Sequence, residues 1–116
     1  MTTPIVFFDI AGPDVPALTT FYKAVFGWEA DERGGLSVPI GGPPLKGTFR
    51  PDAAERVLYL GVPDITAALE QVVAHGGSIH APRFEVPGVV VLGLFHDPAG
   101  NRMGLVEMDG GTARIP

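Results

Sequence analysis

The spacing of apolar positions divides the chain into two segments of the same kind. Residues 5–10 (IVFFDI) and 57–62 (VLYLGV) are short runs rich in β-branched and aromatic side chains, which predicts strands. Each run leads into apolar residues at helical spacing. Leu18, Phe21, Tyr22 and Val25 form the apolar face of the first helix, and Ile65, Leu69, Val72 and Val73 that of the second. Asp14 and Asp64 stand where an N-cap belongs, because a carboxylate there accepts from backbone N–H groups that have no partner inside the helix. Pro16 falls in a first turn, where no intrahelical donor is lost. Gly27 and the pair Gly76-Gly77 supply the stops.

Further strands are predicted near 78–81, 88–96 and 102–108, with the turn Asp97-Pro98-Ala99-Gly100-Asn101 before the last. The first half has less room: Trp28–Ala30, Leu36–Ile40 and Lys46–Arg50 are its candidate strands. Gly41-Gly42-Pro43-Pro44 is a tight connection, since proline cannot donate to a central ladder. Residues 51–56 read as a linker and 109–116 as a fraying tail.

The two halves match at an offset of fifty. Pro13-Asp14-Val15-Pro16-Ala17 aligns with Pro63-Asp64-Ile65-Thr66-Ala67, Phe7 with Val57, Phe8 with Leu58, Ile10 with Leu60, Ala24 with Ala74, and Gly27 with Gly77. A repeat of this kind changes the fold expected. It gives an α+β protein of two tandem βαβββ modules: module one about 1–50, a linker 51–56 and module two about 57–109, together a single domain. Alternation along a strand puts Val6, Phe8 and Ile10 on one face, and Leu58, Leu60 and Val62 on the equivalent one, for packing on the helices. The opposite faces carry Ile5, Phe7 and Asp9, then Val57, Tyr59 and Gly61. That mixture suits a lined concavity, or else a solvent-facing sheet with incidental aromatics.

Composition narrows the function. The formal net charge is −5, with eight basic residues that are scattered along the chain. Neutralising phosphates needs clustered Lys and Arg, so a nucleic-acid surface is not expected. The chain has no cysteine, which excludes disulfides, thiolate metal sites and a cysteine nucleophile. No signal-peptide pattern and no run of roughly 18 apolar residues stands out, so a soluble cytoplasmic protein without membrane attachment is expected. His75, His80 and His96 do not have metal-ligand spacing. His75 sits at a helix end; His80 could face a concavity or solvent, and His96 reads as exposed. No phosphate-binding loop or nucleophile–base arrangement is readable.

Phe21-Tyr22 followed by Val25-Phe26-Gly27-Trp28, and Asp97-Pro98-x-Gly100-Asn101, resemble the vicinal oxygen chelate superfamily, the glyoxalase, bleomycin-resistance and extradiol-dioxygenase group. The resemblance covers nearly the whole chain. It implies that the modules form a cup-shaped mixed β-sheet with helices outside, and that enzymes of the group hold a divalent metal at its floor. Carried over by position, the first-strand ligand falls on Phe7 and its second-module equivalent on Val57. The last-strand acid, three residues after the Asn of the turn, falls on Gly104. The remaining position lies near Lys46–Arg50. Phenylalanine, valine and glycine side chains cannot coordinate a cation. The resemblance is therefore to a metal-free, glyoxalase-like branch, with no metal and no cofactor expected.

By the same parity, Asp9 faces the concavity, Arg102 shares a face with Gly104, and Tyr59 is the repeat equivalent of Asp9. The expected ligand site is Phe7, Asp9, Val57, Tyr59 and Arg102, with the charged and phenolic groups as polar contacts and the other two as apolar wall. The bland alternative is an internal ion pair with a structural hydroxyl. The expected function is metal-independent binding of a small molecule. The competing functions are a lyase, isomerase or dioxygenase-type enzyme, either metal-dependent with unusual ligands or using an acid–base pair built on Asp9, and a structural or interaction module with a filled cup. A homodimer is expected because superfamily members commonly pair and exposed strand edges gain from it.

Overall fold

The computed structural model describes residues 2–116. Two compact units emerge, one of Phe7–Leu58 and one of the residues up to Val6 together with Tyr59–Pro116. The fold is mixed α+β, with eight strands and two helices among the described residues.

In the first unit, β1 (Ile5–Gly12) leads into α1 (Val15–Phe26), β2 (Gly35–Val38) and β3 (Leu45–Pro51). The strand order is β2-β3-β1, with β1 and β3 parallel and β2 antiparallel to β3. The Asp14 carboxylate accepts from the Ala17 N–H at 3.1 Å, and α1 ends at Gly27 with φ of 73°, a left-handed conformation that costs glycine little. Its core joins Phe8, Leu36 and Phe49 to Ile10, Val15, Leu18, Tyr22 and Trp28.

Only part of the predicted helix face is used. Leu18 and Tyr22 pack inward, but Phe21 and Val25 are more than half exposed, as is Phe26. The half-buried stripe that packs on the core runs through Val15, Leu18 and Tyr22, rotated from the expected one. The strand expected at Trp28–Ala30 does not form. Trp28 instead folds onto Tyr22, with ring centroids 5.2 Å apart and planes at 15°.

β4 (Glu55–Val62) belongs to the first unit up to Leu58 and to the second from Tyr59, where it leads into α2 (Ile65–Ala74), β5 (Ser78–Val86), β6 (Val90–His96), β7 (Arg102–Asp109) and the short β8 (Thr112–Ala113). The order is β4-β7-β6-β5, with β8 on β7. The parallel pairing of β4 with β7 repeats that of β1 with β3. Asp64 accepts from Ala67 N–H at 3.0 Å, as Asp14 does from Ala17. Ile65 and Leu69 are buried with Val62, Val91, Phe95 and Leu105, whereas Val73 is exposed.

β4 begins at Glu55, so strand structure takes in part of the segment read as a linker. Leu58, expected under a helix, is 41% exposed. β8 orders two residues of the tail expected to fray.

Candidate functional site

The helix-side packing of Phe8, Leu60 and Leu105 fixes the parity of the strands that carry the candidate residues. Because neighbours in a strand alternate, Phe7 and Asp9 project from the opposite face of β1, Tyr59 from that of β4, and Arg102 and Gly104 from that of β7.

Asp9 is 2% exposed. The register of β1 on β3 puts Ala11 opposite Arg50, and the guanidinium reaches back along the sheet to Asp9. Arg50 Nη2 donates to Asp9 Oδ1 at 3.2 Å and to Glu55 Oε2 at 2.9 Å, while Nη1 donates to Asp52 Oδ2 at 2.6 Å. Burial would favour the neutral form of Arg50, but the hydrogen bonds to Glu55 and Asp9 outweigh it and hold the guanidinium firmly protonated. Three carboxylates on one fork join β1, the turn after β3 and the start of β4. Arg50 was missed as a site residue, although it closes the segment to which the resemblance assigns the remaining ligand. The signal was available in parity: Arg50 shares a face with Thr48, which lies opposite Asp9.

Tyr59 lies opposite Gly104 in the parallel pair. Its ring covers that glycine so closely that a Cβ added at Gly104 would overlap the ring carbons. Arg102, two residues earlier, has Nη1 3.2 Å from His80 Nε2, and the His80 ring meets His96 edge-on at 5.1 Å. His80 is exposed and His96 half-buried. Phe7 is half-buried and Val57 fully buried.

Glu107 was missed altogether. It is 5% exposed and faces α2, where it accepts from the Ile65 N–H at 3.2 Å and from Arg83 at 3.0 and 2.9 Å; Arg114 stands 3.5 Å away. The hydrogen bonds from Arg83, with help from Ile65 and the two positive charges, outweigh burial and hold its carboxyl below the usual range. An acid after a run of apolar β7 residues gives no sequence signal of this role, which depends on the distant Arg83. Its position at the start of α2 is that of a second cap, not of a chemical site.

A divalent metal does not fit the carried-over positions. Phe7, Val57 and Gly104 offer no donor atom, and the space above Gly104 is taken by an aromatic ring. Among the described residues no three His, Cys, Asp or Glu side chains converge as a metal set. No helix among them is long and apolar enough to cross a membrane.

The model of the family described as a glyoxalase-like domain matches residues 5–106. The chain belongs to the glyoxalase-like domain family. Over 114 aligned residues it is 29% identical to CFP32 of Mycobacterium bovis, whose name provisionally makes it a glyoxylase; the match covers 84% of this chain and 42% of that protein. The glyoxalase-like chain thus spans less than half the length of the curated relatives it matches. A methylmalonyl-CoA epimerase in complex with methylmalonyl-CoA and ammonium superposes with a TM-score of 0.68 at 18% identity, covering 98% of this chain and 100% of that one. A glyoxalase/bleomycin resistance protein/dioxygenase superfamily member from Vibrio splendidus gives 0.60 at 15% identity, over 92% of this chain and 100% of that one. At these identities the structural neighbours establish the fold, and activity has to be argued from the site.

Proposed function

We propose that this glyoxalase-like chain binds a small molecule without a metal, acting in binding, sequestration or regulation in the cytoplasm. The observation that carries the proposal is the Tyr59 ring over Gly104, which replaces a last-strand acid and its cation with a phenol and an aromatic surface. Asp9, Tyr59 and Arg102 supply the polar contacts and Phe7 and Val57 the apolar wall. Asp9 is already ion-paired to Arg50, so it is a fixed hydrogen-bond acceptor for the ligand. That complex-forming neighbours such as the epimerase hold a CoA ester supports small-molecule recognition on this fold.

Thermal-shift screening of a metabolite panel, in buffer with and without chelator, tests the proposal. A ligand should raise Tm equally in both buffers. Asp9→Ala and Tyr59→Phe should each abolish that shift, and unchanged affinity in both variants would rule the site out.

The same reading includes a homodimer. Phe21, Val25 and Phe26 form an exposed apolar strip on α1, and such strips mark association surfaces in soluble proteins. Sedimentation should give twice the 12.2 kDa chain mass and revert towards it in Phe21→Ser/Phe26→Ser.

A further inference from the structure

A hollow lies wholly within the first unit, on the α1 side of its strands. Its volume is about 220 Å³, and Phe8, Trp28, Val38, Leu45 and Leu58 make its apolar wall. The first four belong to the core under α1, so the hollow is an opening into that core. Gly47 faces the Phe8 ring, and a Cβ added there would overlap the ring carbons, so only glycine leaves the ring its place in the wall. An apolar cavity of about 150 Å³ accommodates a benzene ring. This one therefore has room for a ring and a short substituent.

The charges around it are unequal. Asp9 borders the floor, but its carboxylate is nearly fully buried and held by Arg50. Glu55 is engaged with the same guanidinium. Arg56 also borders the hollow, is exposed, and forms no ion pair with another described residue. One open cation beside an apolar slot of this size is complementary to an apolar acid.

We infer that this hollow is a binding site for a small aromatic monocarboxylate, whose ring enters between Phe8, Trp28 and Leu58 while its carboxylate meets Arg56. The site goes beyond the proposed function, because it uses neither Tyr59 nor Arg102 and lies on the other face of β1 from Phe7.

Trp28 is the chain's single tryptophan and lines the hollow, so its emission responds to a ligand there. Benzoate, titrated into the millimolar range, should shift Trp28 emission saturably. Benzyl alcohol, of similar size and uncharged, should do so too. Arg56→Gln, an exposed change that leaves the core intact, should weaken benzoate about tenfold or more and leave benzyl alcohol unchanged. Val38→Phe should fill the space and abolish both responses while far-ultraviolet circular dichroism stays native. No saturable response to benzoate, or equal effects of Arg56→Gln on both compounds, would overturn the inference. So would Trp28 emission that changes on dilution of the protein and ignores benzoate, because a second copy of the chain would then cover the hollow.

Discussion

At the residue scale, two close contacts carry most of the account. Gly104 lies under Tyr59, and Gly104→Ala should destabilise the protein by about 1–3 kcal/mol because the added methyl overpacks a filled space. In a Tyr59→Ala background the ring is gone and the same change should cost much less. Urea denaturation of the four proteins in this cycle measures the coupling, and additive effects would show that the ring does not cover the glycine. Glu107 makes a prediction about acid. Its folded carboxyl titrates below the ordinary value of 4.5, so the folded form binds this proton less readily than the unfolded one. The stabilisation is complete above the ordinary value and is lost as pH falls through the lower, folded one. Thermal unfolding between pH 6 and 3 should show Tm falling more steeply for the natural protein than for Glu107→Gln, which lacks the titrating group. Parallel curves would assign the acid sensitivity elsewhere.

At the element scale, what the sequence made legible followed from local rules. Both N-caps were readable, since an aspartate before an apolar periodic run needs no tertiary partner. Asp14→Ala and Asp64→Ala should each cost about 1 kcal/mol by chemical denaturation. The repeat located the two strand–helix units, and their parallel strand pairs came from the structure. The contact line of α1 was less legible: four apolar residues at helical spacing define a stripe, but only packing selects which of them face the sheet. Phe21→Ser and Val25→Ser should therefore change the stability of the monomer by less than about 0.5 kcal/mol, whereas Leu69→Ala in α2, 3% exposed, should cost about 2–5 kcal/mol. Trp28–Ala30 misled for a related reason. Strand propensity belongs to residues that find a ladder, and Trp28 finds Tyr22 and Phe8 instead.

At the scale of the whole molecule, family and fold were legible because they rest on pattern: the match over residues 5–106 and the structural neighbours agree with the expected α+β architecture. The candidate site was legible only in part. Parity placed Asp9, Tyr59, Arg102 and Gly104 on faces directed away from the helices. It did not reveal that Arg50 neutralises Asp9 or that Arg83 holds Glu107, since both depend on long side chains reaching across strands. The fold is shared with an epimerase among its structural neighbours, and the positions to which the resemblance assigns metal ligands hold Phe7, Val57 and Gly104 here, whose side chains carry no donor atom. The direct test is elemental analysis by mass spectrometry of protein purified without chelator from medium supplemented with nickel, zinc, manganese and iron. Metal far below one equivalent per chain, unchanged by Asp9→Ala, is the expected result. One tightly held equivalent per folded chain would contradict the account.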